Sequence, residues 1–393
     1  MTLGPRRRAA AASVAAQAGP AASRRPRGLG ALTAGLEREA RLIFLWPAVL
    51  LLVFLSIFPL FVSLYLSASR LEFVPGGFAL RWVGLANYRK LLLGIEQEHF
   101  LGFLAKPSLP AQVAFGIVVV LLGVILVQDF RRPDRSLAGW LGRSVWALVG
   151  AAIAWLMIRT LGPGGRPGTL VTTLVYVGIG VAVQYGLGLG LALLCSQNLA
   201  GRRFFRVVFL IPMMITPVGI AYTFRILMDL GKGPFAPAWR ALGLAEVSWA
   251  SNPWGARLAV LIGDTWQWTP FMFIVLLAAL ESLPPEFLEA AMVDGADRWQ
   301  TFWQITWPQL MPVSATLVLI RLIEAFKVVD LPNVLTNGGP GTATESLTLH
   351  ALIAWRTLDI GGAAAVAYIL LLVVTVTVLA YLHLVRRRLA QAT

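Results

Sequence analysis

The stretch Glu289–Pro312, EAAMVDGADRWQTFWQITWPQLMP, is an acidic, helix-punctuated segment between two long apolar runs, residues 257–281 and 311–331. A hydrocarbon interior offers nothing to solvate Glu289, Asp294 and Asp297, so this segment must leave the bilayer and present a surface to water. A water-facing elbow between two spans points to a soluble partner.

Composition sets the frame around it. Hydrophobic residues make up 58% of the 393 and charged residues only 13%, with mean hydropathy +0.74; a soluble domain carries about 25% charged residues. The chain therefore belongs in a lipid bilayer. Its net charge of +14 would suit nucleic acid, but the basic residues cluster between apolar runs and do not alternate with stacking aromatics. They read as membrane topology, and no nucleic-acid partner is expected. The single cysteine, Cys195, lies in an apolar run, which excludes an internal disulfide and a cysteine metal site. His99, His350 and His383 are scattered, with no spacing that suggests a metal centre.

A spanning helix needs about 20 mostly apolar residues. Candidates run near 43–67, 111–129, 143–160, 170–195, 205–229, 257–281, 311–331 and 361–385, about eight helices in an all-α polytopic membrane protein. Residues 1–42, rich in Ala, Pro and Arg, lack the apolar core of a signal peptide and read as a disordered basic cytoplasmic tail. Residues 43–110 then hold the first helix and an outer loop, and 111–160 an additional helix pair. With the N-terminus inside, Arg131, Arg132, Arg135 and Arg143, then Arg202, Arg203 and Arg206, and finally Arg386, Arg387 and Arg388 fall on the cytoplasmic side. Both termini are therefore expected in the cytoplasm. One inner segment breaks the pattern: Glu281, Glu286, Glu289, Asp294 and Asp297 face only Arg298. Removing the pair at 111–160 preserves the orientation, so charge alone does not choose between six and eight spans.

Within the spans, Gly178, Gly180, Gly186, Gly188 and Gly190 give one helix a small face, and Gly361 to Ala365 do so at the start of the last. Small residues let helices pack closely in lipid. Pro212, Pro217 and Pro270 interrupt other spans, either as kinks in a transport path or as plain structural bends. In the acidic segment, Pro284 and Pro285 suit a helix start and Gly295 suits the left-handed position that ends one. Asp297 with Gln300 reads as a capping box, and Pro308 is expected to stop the second helix. The product is a helix-turn-helix at the inner membrane surface, with Phe302, Trp303, Ile305 and Trp307 as anchors. An amphipathic pair resting on headgroups is the plainer alternative, which the acidity opposes.

Glu289-Ala290-Ala291, Asp294-Gly295-Ala296, then Phe302, Ile305 and Pro308 resemble the EAA motif of permease subunits of ABC importers. In that family the motif forms coupling helices that dock into a cleft of a cytoplasmic ATPase, so the resemblance implies that role for these residues. Thr336-Asn337-Gly338-Gly339-Pro340-Gly341, followed by Thr344-Glu345, is similar to an outer loop of the carbohydrate branch, the maltose and glycerol-phosphate type permeases. So is Arg202-Arg203-Phe204-Phe205-Arg206 running into Ile211-Pro212. The likeness covers about 168–390. It implies the six-helix core of a type I ABC importer, with the coupling loop at 283–312 and the pair at 111–160 as an addition. Thr172-Thr173 stands where the family commonly has Asn-Thr.

What the resemblance implies for function is a permease subunit of an ATP-driven importer of a sugar, polyol or related solute, in the cell inner membrane. Its expected partners are a second permease, a paralogue, a cytoplasmic ABC ATPase dimer, and an extracytoplasmic solute-binding protein that docks at Thr336, Asn337, Gly338, Gly339 and Pro340. A tight turn is the plain reading of Gly338 to Pro340. The chain lacks a phosphate loop, because Gly231-Lys232 is followed by Gly233 without the upstream glycine. It is therefore expected to be no enzyme and to hold no cofactor, with ATP and Mg on the partner ATPase.

Ionisable residues inside a span face a cavity or one another. Arg321, Glu324, Lys327 and Asp330 recur three residues apart. They either pair, Arg321 with Glu324 and Lys327 with Asp330, or line a polar cavity. Asp264, Trp266, Gln267 and Trp268 combine hydrogen-bonding groups with aromatic faces that suit a sugar, although Trp at a membrane interface is the other reading. Tyr222, Arg225 and Asn333 can join either group. Two rival classes remain. A self-contained secondary transporter would bind substrate at broken helices and has no need of the acidic elbow. A membrane enzyme would need catalytic carboxylates or a metal cluster at an interface.

Overall fold

The computed structural model describes residues 44–130, 137–197, 200–243 and 252–392. The basic segment 1–42 lies outside them, as do Arg131, Arg132 and Arg135 of the predicted inner loop and the side chains of Arg143 and Arg386 to Arg388. The chain divides into one unit ending at Ser63 and another beginning at Leu64. Helix α1 (Phe44–Ser67) runs up to and past this division. Its large apolar side chains are exposed from Phe44 to Tyr65, the state expected of a helix solvated by lipid tails.

The predicted outer loop is not a simple coil. Strands β1 (Ser69–Val74) and β2 (Gly77–Trp82) form an antiparallel hairpin in which Val74 lies opposite Gly77. Pro75 and Gly76 occupy the turn, the proline pre-setting its own φ and the glycine taking φ +93°. Short helices α2 (Ala86–Leu93) and α3 (Gln97–Phe100) follow, then β3 (Gly102–Phe103), which pairs with β4 (Arg166–Pro167). Between those strands stand α4 (Leu109–Phe130) and α5 (Leu137–Leu161). The rest of the chain is helical: α6 (Thr169–Ser196), α7 (Arg202–Met214), α8 (Pro217–Leu227), α9 (Ala236–Ala241), α10 (Pro253–Glu281), α11 (Pro285–Val293), α12 (Arg298–Ala325), α13 (Leu347–Arg356) and α14 (Ile360–Ala392).

Among the described residues six helices, α1, α4, α6, α10, α12 and α14, are long and apolar enough to cross a membrane, and seven do if α7 and α8 count as one span. The segment expected to span at 143–160 is helical as part of α5, a helix of 25 residues whose described apolar part is Ala147–Leu161. The span expected at 205–229 is broken, because α7 and α8 meet at 99°. Pro217 forces Thr216 into extended backbone, and the Thr216 hydroxyl then accepts the Gly219 N–H to start a new helix.

The helix expected at 311–331 begins instead at Arg298 and ends at Ala325. Pro308 does not stop it. Phe302–Thr306 forms a π turn, in which the Trp307 N–H bonds the Phe302 carbonyl five residues back. Pro308 then falls in the first turn of the regular helix Trp307–Ala325, where a missing N–H does no harm. Lys327 and Asp330 accordingly lie past the helix end, and a second π turn, Pro332–Thr336, follows them.

The glycine stripe on α6 splits in two. A Cβ on Gly188 would lie 2.4 Å from Met272 Cβ, and one on Gly180 would meet Asp264, whereas Gly178, Gly186 and Gly190 face open space. Only the first two therefore admit α10, and because Gly180 meets Asp264 while Gly188 meets Met272, the two helices run in the same direction. Their far ends are joined by Arg206, which pairs with Glu281 and donates to the Cys195 carbonyl at 2.9 Å. Gly361 gives a similar approach, its position lying against the Ser69 carbonyl and Asn87.

Gly188→Ala is expected to lower the melting temperature in detergent through overpacking worth about 1–3 kcal/mol, while Gly190→Ala leaves it unchanged or slightly higher. Equal melting of the two variants would contradict this division of the stripe.

Candidate functional site

The sequence places acid and base in the spans; the structure shows where they go. Arg321 on α12 donates through Nε to Gln184 Oε1 at 2.7 Å and through Nη2 to Asp264 Oδ2 at 2.5 Å. Gln184 Nε2 on α6 donates to the same Asp264 oxygen at 2.7 Å, and the guanidinium lies 4.5 Å from the Trp268 ring centroid. Arg321 is 1% exposed and Gln184 wholly buried. The result is a closed clamp across α6, α10 and α12 in which each partner answers another.

Neither of the two expected pairs forms. Arg321 reaches Asp264 rather than Glu324, and Lys327 reaches back to Glu324 at 2.6 Å rather than on to Asp330. The helix ends at Ala325, so the three-residue periodicity expected to place these groups does not continue past it.

The remaining substrate-path candidates are spread over several elements. Gln267 is buried on α10, Trp266 packs edge-on against Phe224 at 5.6 Å, and Tyr222 is exposed. Trp266 borders a groove of about 780 Å³ whose walls include Ile179, Val183, Leu187, Phe209 and Pro212. The walls are mostly apolar, with Thr265, Trp266 and Thr269 as the side chains that carry a polar atom. Asp330 and Asn333 are half-buried around the second π turn, and the nearby Arg225 donates to the Val334 carbonyl at 3.2 Å.

The loop from Thr336 to Pro340 is bonded largely to itself. Thr336 Oγ1 lies 2.6 Å from Thr344 Oγ1, which donates to the Gly339 carbonyl at 3.1 Å, and the Gly338 N–H reaches the Pro332 carbonyl at 3.0 Å. Asn337 takes φ +51° and Gly338 φ +81°, left-handed positions that suit these two residues. Asn337 is exposed and Gly338 buried. Thr173, part of the pair that departs from the resembled motif, accepts the Leu347 N–H at 2.8 Å and so anchors the start of α13.

The acidic segment forms a tight elbow. At the end of α11 the Ala296 N–H bonds the Ala291 carbonyl and the Gly295 N–H the Met292 carbonyl, with Gly295 at φ +73°, so the helix closes in a Schellman motif. Asp297 then accepts the Gln300 N–H at 2.7 Å while Gln300 Oε1 accepts the Asp297 N–H at 3.0 Å, completing the capping box. Both helix ends are satisfied within a few residues, which fixes the angle between α11 and α12. Ala291 is buried beneath the elbow; Glu289, Ala290, Asp294 and Pro308 are exposed, and Ala296, Phe302 and Ile305 are half-buried. Around the acids stand apolar side chains that no described residue covers: Val293 is 88% exposed, and Met292 and Trp299 70%. Trp299, Phe302, Trp303 and Trp307 pack edge-to-face in a row on α12.

A family model described as binding-protein-dependent transport system inner membrane component matches residues 184–390. The trehalose/maltose transport system permease protein MalF of Thermococcus litoralis is 36% identical over 197 residues, 50% of this chain and 67% of that one. A probable ABC transporter permease of Pyrococcus horikoshii is 28% identical and spans 88% of this chain and 97% of its own. A chain of a bacterial alginate ABC transporter, solved with an alginate-bound periplasmic protein, superposes with TM-score 0.58 at 18% identity, covering 91% of this chain and 97% of that one. That last likeness is one of fold.

Breaking the clamp by Arg321→Met is expected to cost about 3–5 kcal/mol, because Asp264 is left buried without its cation. Thermal unfolding in detergent reads this, and the Arg321→Met/Asp264→Leu double variant should lose less than the sum of the two single losses. Strict additivity would show that the two residues do not act as a pair.

Proposed function

Since the chain belongs to the family of binding-protein-dependent transport system inner membrane components, we propose that it is the permease subunit of an ATP-driven importer for a sugar, polyol or related carbohydrate-like solute. Relatives named for trehalose, maltose and maltodextrin support that cargo class. The observation that carries the proposal is the elbow. A rigid, hydrogen-bonded turn that exposes Met292, Val293 and Trp299 beside Glu289 and Asp294 has the character of a docking surface, since apolar groups this exposed gain by burial against a partner.

The partner in this reading is a cytoplasmic ABC ATPase dimer, which supplies ATP and Mg, while this chain performs no hydrolysis of its own. The elbow and both termini then lie in the cytoplasm. The elbow also sits between two helices already locked together. α10 ends at Glu281 just before α11, and α12 leaves the elbow as a helix of 28 residues that carries Arg321 to Asp264. A push on the elbow therefore moves α10 and α12 as one body and takes α6 with them through Gln184. That is a means of turning nucleotide-driven closure into a tilt of the spans. A second, paralogous permease completes the pathway. An extracytoplasmic solute-binding protein docks at the far end of the bundle, where Thr336 to Pro340 are held and Asn337 is presented.

Gly295→Asp and Glu289→Lys are each expected to abolish uptake in cells that supply the ATPase, the second permease and the binding protein, with membrane insertion intact. A Cβ at Gly295 would meet no neighbouring atom, so within this chain the demand is for backbone conformation, worth roughly 1–2 kcal/mol, and the loss in Gly295→Asp comes from the charge it adds to the docking face. Gly295→Asn should accordingly retain more transport than Gly295→Val. Normal uptake by both charge-altering variants would remove the elbow from the coupling pathway.

A further inference from the structure

At the opposite end of the bundle from the elbow, His99 meets two ligating side chains that are distant from it in sequence and close to each other, Glu345 and His350. His99 is carried by α3, Glu345 by the segment before α13, and His350 by the first turns of α13. His99 Nε2 lies 3.0 Å from Glu345 Oε2, and His350 Nδ1 lies 2.7 Å from Glu345 Oε1. One ligand atom from each of the three falls within 4.8 Å of the others.

Glu345 and His350 are only 3% and 6% exposed. Glu345 Oε1 and His350 Nδ1 are buried against each other at 2.7 Å, a contact that neither atom completes as a regular hydrogen bond. Such atoms are destabilising unless something meets them. They border a cavity of about 130 Å³ that also touches Glu96 and Asp359. Those two carboxylates are already neutralised by Lys90, at 2.8 and 2.9 Å. What remains to face an incoming cation is the His–Glu–His set.

We propose that His99, Glu345 and His350 form a three-ligand site for a divalent transition ion of the zinc class, with its fourth position open to the cavity. Two imidazoles and one carboxylate match the donors that zinc takes at about 2.0–2.2 Å, and donors around a tetrahedral ion of that size stand about 3.3 Å apart. The three groups need shift little to reach that arrangement. Calcium and magnesium prefer all-oxygen shells, which the two imidazoles do not provide. An ion here would meet both the Glu345 and the His350 atoms and tie α3 to the start of α13. This site stands on its own geometry and does not depend on the transport reading.

The full-length chain, purified in detergent and stripped with chelator, should bind one Zn²⁺ with a rise in melting temperature, and Co²⁺ in its place should show the intense visible bands of tetrahedral coordination. His99→Gln and His350→Gln should each weaken binding by roughly tenfold or more, while His383→Gln leaves it unchanged. Variants are compared only where they elute as a single species and melt near the chelated wild type. Should either fail that check, the wild-type stoichiometry and Co²⁺ spectrum decide alone. Binding no tighter than that of the His99→Gln/His350→Gln double variant, or a wild-type Co²⁺ spectrum typical of the six-coordinate aqueous ion, would overturn the proposal.

Discussion

The constraint on which the helical core rests is that a guanidinium held in a membrane needs a counter-charge and hydrogen-bond acceptors close at hand. Arg321 finds them in Asp264 and Gln184, with the Trp268 face below it. That one demand fixes the relative height of three helices, because a slip of one turn along any of them would move it about 5.4 Å and strand the charge. Gly188 serves the same end: with no Cβ, it lets α6 come close enough to α10 for Gln184 to reach Asp264.

Around the clamp, polar groups sit at two further levels of the bundle. At the Glu281 end, Arg206 bonds Glu281 and the Cys195 carbonyl, closing the ends of α6 and α10 beside the elbow. At the Thr169 end, Thr173 receives the Leu347 N–H and Tyr176 donates to the Thr344 carbonyl, so the segment before α13 is bonded onto α6. The spans between these levels are mainly apolar. The bundle is thus pinned at discrete heights and otherwise held by packing, an arrangement that permits a rigid-body tilt more readily than internal rearrangement.

Sequence reading worked where the physics is local. The Schellman turn at Gly295 and the Asp297–Gln300 box are set by residues within one turn of each other, and both were legible. Most spans were legible too, since their apolar runs exceed the bilayer thickness. The reading failed where a distant or cooperative term decides. Pro308 looked like a terminator because a π turn upstream cannot be read from the residues alone. The partner of Arg321 was sought three residues away, while the true partner lies 57 residues back, on another helix. Gln184 carried no signal at all, being one amide in an apolar run. His99 and His350 looked scattered for the same reason, since Glu345, which both approach, lies 246 residues from His99.

The two π turns bear on how α12 can act. Phe302–Thr306 and Pro332–Thr336 lie on either side of the regular stretch Trp307–Ala325, one beside the elbow and one leading into the Thr336 to Pro340 loop. A π turn breaks the regular hydrogen-bond ladder and often marks a functional position in a helix. Between them the helix is anchored sideways by Arg321, by Ser314, which accepts from Tyr185 at 2.7 Å, and by the Ala315 carbonyl, which accepts from Tyr381 at 2.8 Å. In the proposed coupling, a regular stretch held at its middle in this way turns as one piece with its neighbours. Displacement at Trp299 can then reach the segment around Asn337 without unfolding anything between them, which links the acidic elbow to the opposite face of the bundle through a single element.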